Sequence, residues 1–212
     1  ALSPAEFVQR FLVDGLGVAA VVVGYNVTFG KDRAGTPDVL RELGERHGFG
    51  VEVVPQQQFG GLKVSSSAVR RAVAAGDLPR ASELLGRPHE LHGRVRHGDH
   101  RGATIGFPTA NIFPCGGMLP PDGVYAVRVE IDGLPDRFAG VANLGTNPTF
   151  GVRQRRLEAH LFDWAGDLYG QRVRVGLVER LRGELKFDGV DSLVTQIQAD
   201  ASAAREILAS GS

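Results

Sequence analysis

The sequence predicts an α+β chain in two parts: a partial parallel α/β region over residues 1–87, then an antiparallel β-barrel or sandwich over residues 88–212 with a C-terminal helix. Three observations carry this. Helical and strand patterns alternate up to about residue 54, the habit of parallel α/β sheets. Past Gly86-Arg87-Pro88, a chain break by composition, the pattern turns to period two. It is cleanest where Tyr125, Val127, Val129 and Ile131 share one face against Val124, Ala126, Arg128 and Glu130.

Ser3-Pro4-Ala5-Glu6 supplies the cap, first-turn proline and third-position acid of a helix start, leading into a stripe of Phe7, Val8, Phe11 and Leu12. A buried strand is expected at 18–23, a helix opened by Thr36-Pro37 and running to about His47, and a second strand at Gly50–Val54. This region reads as a parallel sheet missing its beginning. Two short helices at 65–75 and Leu78–Leu85 precede the break. Beyond it, strands are expected at 91–96, 124–131, 138–144, 156–162 and 172–178, separated by Gly- and Pro-rich loops. A helix over 191–208 closes the chain, with Leu193, Ile197 and Ile207 among its expected buried positions.

With 212 residues and 42% hydrophobic content the chain has ample material for a core. Twenty-four basic and twenty-four acidic residues cancel, so no nucleic-acid partner is expected and any phosphate binding must be local. The apolar run at 18–23 is too short to span a membrane, and Glu6, Arg10 and Asp14 occupy positions that a signal peptide keeps apolar. The single cysteine, Cys115, forms no internal disulfide and reads as a passive loop thiol. A cytoplasmic protein is expected.

The richest segment is His97-Gly98-Asp99-His100-Arg101-Gly102-Ala103-Thr104-Ile105-Gly106-Phe107-Pro108-Thr109-Ala110-Asn111. Gly98, Gly102 and Gly106 allow backbone N–H groups to approach an anion such as a phosphate. Pro108 fixes the backbone ahead of Thr109, and in an extended chain Thr109 and Asn111 project from one side. Their two neutral oxygens suit Mg2+ carried by a nucleotide. On spacing alone, a hairpin loop with Thr and Asn making turn hydrogen bonds stands equally open. Two other patterns fail on geometry. Residues 24–31 have five residues between their glycines, against the four of a Walker A loop, and then Asp32 where Ser or Thr is needed. His89, His92, His97 and His100 are spaced so that a strand sends them to opposite faces, which argues against zinc.

Gly-Phe-Pro-Thr-Ala-Asn at 106–111, preceded by His-Gly-Asp-x-Arg-Gly, resembles the nucleotide loop of riboflavin kinases. Gly140-Val141-Ala142-Asn143-Leu144-Gly145-Thr146-Asn147, the run Leu157-Glu158-Ala159-His160, Asp167-Leu168-Tyr169-Gly170 and Leu181-Arg182-Gly183-Glu184-Leu185-Lys186-Phe187 are similar to further motifs of the same module. The earlier runs 21–30 and 64–70 resemble the FMN adenylyltransferase module that precedes the kinase in bacterial bifunctional FAD synthetases. Val27 and Ser67 stand where that module usually has an aromatic residue and a threonine, and its His-x-Gly-His loop is absent.

The resemblance implies a nucleotidyltransferase-like (Rossmann-like) region, N-terminally incomplete, ahead of a six-stranded antiparallel barrel. It implies phosphorylation of riboflavin by ATP to FMN and ADP. Glu158 becomes the general base, a position that pattern alone reads as a surface strand glutamate, with Thr109 and Asn111 on magnesium and Asn147, Arg182 and Phe187 against the flavin. A shortened chain that does not adenylylate FMN by itself is expected, as is self-association through an unpaired sheet edge in the N-terminal region. Two alternatives stand beside this reading: part of a bifunctional enzyme that also makes FAD when complete, and a non-catalytic flavin- or nucleotide-binding protein.

Overall fold

The computed structural model describes residues 2–98, 101–146 and 155–210. The chain divides into two compact units, Ala1–Lys63 and Val64–Ser212.

In the first unit the Ser3 hydroxyl accepts from Glu6 N, while the Glu6 carboxylate accepts from Ser3 N at 2.7 Å. That backbone bond, with the Ser3 hydroxyl, holds the Glu6 carboxyl below its usual range. The box starts α1 (Pro4–Phe7), which continues as a wider helical turn through Val8–Val13. Next come β1 (Ala20–Gly24), α2 (Pro37–His47) and β2 (Gly50–Val54). Thr36 caps α2, and Gly48 at φ 79° ends it. β1 and β2 pair in parallel, as the alternation predicts, and Val8, Leu40, Leu43 and Phe49 pack with Val21, Val23 and Val51. The opposite face leaves Val22 63% exposed, unusual for parallel strands, which are normally covered on both faces. A small hairpin, β3 (Gln58–Phe59) and β4 (Leu62–Lys63), turns at Gly60 and Gly61 and has no period-two signal to announce it.

The second unit opens with α3 (Ser66–Ala75) and α4 (Leu78–Leu85), capped by Ser65 and Asp77. There follow β5 (His89–Arg96), α5 (Arg101–Thr104), β6 (Ala110–Pro114), β7 (Gly123–Ile131), β8 (Arg137–Thr146), β9 (Arg155–Leu161), β10 (Arg172–Arg182) and α6 (Val190–Ser210). The strands close in the order β10-β5-β6-β9-β8-β7, every pair antiparallel, so the barrel prevails over the sandwich. The sequence break at 86–88 ends α4, whereas the compact unit begins at Val64. Leu78 of α4 is fully buried in the barrel's core cluster, which ties that helix to the strands.

Inside the barrel Tyr125, Val127 and Val129 pack with Leu144, Leu157 and Val175. Burial raises the Tyr125 phenol above its ordinary range, and its O–H donates to Pro121 O. On the outer side, Val124, Ala126, Val141 and Phe162 pack with Ala204 and Leu208 of α6. The buried positions of α6 are therefore Asp200, Ala204 and Leu208, four apart, rather than the expected Leu193, Ile197 and Ile207, which are half-buried. Leu193 and Ile197 line a pocket instead.

β10 carries register shifts between Leu177 and Glu179 and between Arg180 and Arg182, the local bending expected of bulges. Opposite its end, Gly123 at φ 151° lies so close that a Cβ would stand 2.3 Å from the Arg182 carbonyl oxygen. Gly123→Ala is expected to destabilise this unit by about 1–3 kcal/mol, seen as a lowered urea midpoint.

Candidate active site

Thr109 stands at the common wall of two pockets. The first, about 490 Å³, has walls that include Phe107, Val141, Leu185, Phe187, Leu193 and Ile197, with Gly102 beside them and Asn143, Glu158, His160, Arg182 and Asp200 among its polar contributors. The second, about 520 Å³, includes Gly98, Pro108, Asn111, Trp164 and Tyr169, with the His97 and Tyr169 rings stacked at 3.6 Å.

Two loop glycines are required by close packing. A Cβ on Gly98 would lie 2.1 Å from Asn111 Nδ2, and one on Gly102 would lie 2.2 Å from the Phe107 carbonyl oxygen and 3.4 Å from Thr109 Oγ1. Phe107 N–H donates to Gly102 O at 2.8 Å and closes the loop. Gly106, at φ 84°, turns the chain but lines neither pocket. Gly98→Ala is expected to push the Asn111 amide aside and lower turnover by up to about a hundredfold. Kinetics should show the loss while ligand binding in the first, apolar pocket persists.

The barrel register then brings distant residues together. Glu158 on β9 lies opposite Asn111 of β6 on one side and Asn143 of β8 on the other, and residues so paired share a face. Arg156, two residues earlier on β9, reaches Glu158 Oε1 with Nε at 2.8 Å and Nη2 at 2.6 Å. His160, two residues later, donates from Nδ1 to Pro108 O at 2.8 Å. Asn143 and Arg156 were missed from sequence as site residues. The i−2 spacing from Glu158 on a strand was the available signal for Arg156.

At the far wall, Arg182 leaves β10 and meets Asp200 of α6: Nε lies 3.0 Å from both carboxylate oxygens, and Nη2 lies 2.7 Å from Oδ2. Gln196 Nε2 adds a bond to Asp200 Oδ1 at 2.9 Å. The Arg182 guanidinium stands 5.9 Å from the centroid of the Phe187 ring, and Glu184 packs so closely over Gly145 that a Cβ there would meet its Oε1 at 2.5 Å. Thus Glu158, Arg182 and Phe187 meet at one pocket and Gly98 and Asn111 at the other, while the predicted Asn147 lies outside the described residues.

A hard cation fits here on one structural test. Asn111 is 7% exposed, and its buried Oδ1 has no hydrogen-bond partner among the described residues, which leaves an acceptor on the residue two positions after Thr109. No group of three or more His, Cys, Asp or Glu able to hold a metal occurs among the described residues. None of the described helices is long and apolar enough to cross a membrane.

A sequence model of riboflavin kinase matches residues 85–208, and one of FAD synthetase matches residues 1–68. A bifunctional riboflavin kinase/FMN adenylyltransferase of Pseudomonas fluorescens is 46% identical over 98% of this chain and 67% of its own length. The enzyme of the same description from Escherichia coli K12 is 43% identical over 97% of this chain and 66% of its own length. Among solved structures, one described as a macrolide-efflux protein from Streptococcus pneumoniae superposes with a TM-score of 0.81 at 36% identity, covering 97% of this chain and 66% of that one. The chain spans about two thirds of the length of these relatives. A closed barrel with two pockets that share Thr109, matched by the riboflavin kinase model, makes this a transferase of the small-molecule kinase class. Within that class, the chain belongs to the riboflavin kinase family.

Proposed function

We propose that the second unit transfers the γ-phosphate of ATP to the ribityl 5′-hydroxyl of riboflavin, giving FMN and ADP. One observation carries this reading: Thr109 belongs to both pockets, with Glu158 in the first and Asn111 in the second. An isoalloxazine ring suits walls made of Phe187, Leu193 and Ile197, with Arg182 at its edge. The triphosphate suits the second pocket, where the Thr109 hydroxyl and the Asn111 amide, packed over Gly98, offer polar atoms to it.

Glu158 is the group placed to orient the ribityl hydroxyl and accept its proton as the O–P bond forms and the bond to the ADP oxygen breaks. Arg156 holds that carboxylate through the oxygen Oε1, which keeps its direction without requiring substrate. Thr109 and Asn111 would hold Mg2+, which when bound neutralises phosphate charge.

Incubation of the purified chain with riboflavin, ATP and magnesium, followed by chromatographic separation of flavins, should yield FMN. FAD is not expected from this chain, which has no His-x-Gly-His loop. Tight flavin binding with no turnover under any nucleotide condition would overturn the kinase reading in favour of a binding protein.

A further inference from the structure

The ladder between β6 and β9 ends at the Ala110–Ala159 pair. It cannot continue through Pro108, which has no N–H to give. Thr109 therefore lies just past the last ladder position, in the one segment whose placement decides whether its hydroxyl serves both pockets.

A side chain continues the connection where the backbone stops. His160 Nδ1 lies 2.8 Å from Pro108 O, and a carbonyl oxygen only accepts, so Nδ1 carries the proton. The ring is held from two sides by edge contacts, Phe107 at 5.4 Å and Phe162 at 5.9 Å. Pro108 O belongs to the peptide plane that leads into Thr109, so fixing this oxygen fixes the plane from which the Thr109 side chain departs. The same ring stands two residues from Glu158 on one strand face.

We propose that His160 is a positioning residue that joins the Glu158 strand to the Thr109 loop, so that the base and the magnesium-side hydroxyl keep a constant relative placement. The inference rests on the kinase reading of Thr109 and Glu158. Groups that hold a metal-side residue in place typically matter about ten- to a hundredfold in affinity or activity, and that is the effect expected here.

The only tryptophan, Trp164, lines the second pocket, so its fluorescence is expected to follow ADP binding there without any turnover. ADP is titrated by Trp164 fluorescence with and without magnesium, in the wild type, His160→Leu, His160→Asn and Thr109→Ala, alongside riboflavin turnover. His160→Leu should lower the magnesium-dependent part of ADP affinity, and turnover, by about ten- to a hundredfold, while magnesium-free ADP binding stays near wild type. His160→Asn, whose amide N–H falls close to the place of Nδ1–H, should recover most of both.

Nitrogen-15 spectra of the wild-type imidazole, which need no variant to fold, should show the Nδ1–H tautomer whenever the ring is neutral. An Nε2–H tautomer, a His160→Leu protein with intact magnesium-dependent binding, or a His160→Asn protein as impaired as His160→Leu would each overturn the role of His160. Thr109→Ala separates the two layers. If it keeps magnesium-dependent ADP binding, the assignment of Thr109 fails and takes the proposal with it; if it loses that binding while His160→Leu does not, only the role of His160 falls.

Discussion

Glu158→Gln is expected to reduce riboflavin phosphorylation by about a hundred- to ten-thousandfold, the span typical for loss of a positioned general base. Glutamine keeps the shape of the side chain and keeps an oxygen able to accept from Arg156, so the β9 face between Asn111 and Asn143 should persist. The cost in stability is that of a partly buried ion pair, its side chains 12% and 33% exposed, becoming a hydrogen bond from a still-charged arginine to an amide, about 1–3 kcal/mol. The variant should therefore still quench flavin fluorescence on binding and still bind ADP, while a single-turnover assay shows the chemical step lost. Wild-type turnover in Glu158→Gln would remove Glu158 from the mechanism and leave it as the surface strand glutamate that its pattern alone suggests.

Asp200→Ala carries the largest expected effect on stability. Asp200 is 5% exposed, and its carboxylate takes three contacts from Arg182 and one from Gln196. Removing it strands the Arg182 guanidinium, whose side chain keeps only 18% exposure, in a site built for a charge pair. Breaking such a pair costs about 3–5 kcal/mol, and the residual exposure of Arg182 puts the expectation near the lower figure. Urea unfolding followed by circular dichroism should show the midpoint falling at an unchanged slope. Because Arg182 begins the segment that includes Leu185 and Phe187 at the apolar pocket, riboflavin affinity should fall along with stability. A loss of less than about 1 kcal/mol would mean that the pair behaves as an exposed surface contact.

Much of this architecture was legible along the chain. The capping box at Ser3 and Glu6, the α2 start at Thr36-Pro37 and the inward run Tyr125, Val127, Val129 and Ile131 all depend on neighbours in sequence, and all stand as expected. β6 escaped pattern reading because Ala110-Asn111-Ile112-Phe113-Pro114 has no clean alternation and ends in proline; it is extended because β5 and β9 pair with its two edges. The outer face of β7 has a different explanation. Val124 and Ala126 are apolar on the side that alternation assigns to solvent, because α6 covers them.

Thr109, Asn111 and Glu158 were found through motif resemblance, and their juxtaposition was not readable from spacing, since Asn111 and Glu158 meet only through the register of β6 against β9. Asn143, His160 and Asp200 likewise acquire their partners across the fold, whereas Arg156 meets Glu158 two residues along the same strand. By itself the sequence determined most of the helical and extended segments, the inward face of β7, and which loop is glycine-rich. Only the tertiary structure decided that the barrel closes, that Thr109 stands between two pockets, and that α6 contributes a buried carboxylate to one of them. The reason is physical: periodicity and capping are written in residues a few positions apart, whereas register, closure and pocket shape come from pairings across tens of residues that no single segment encodes.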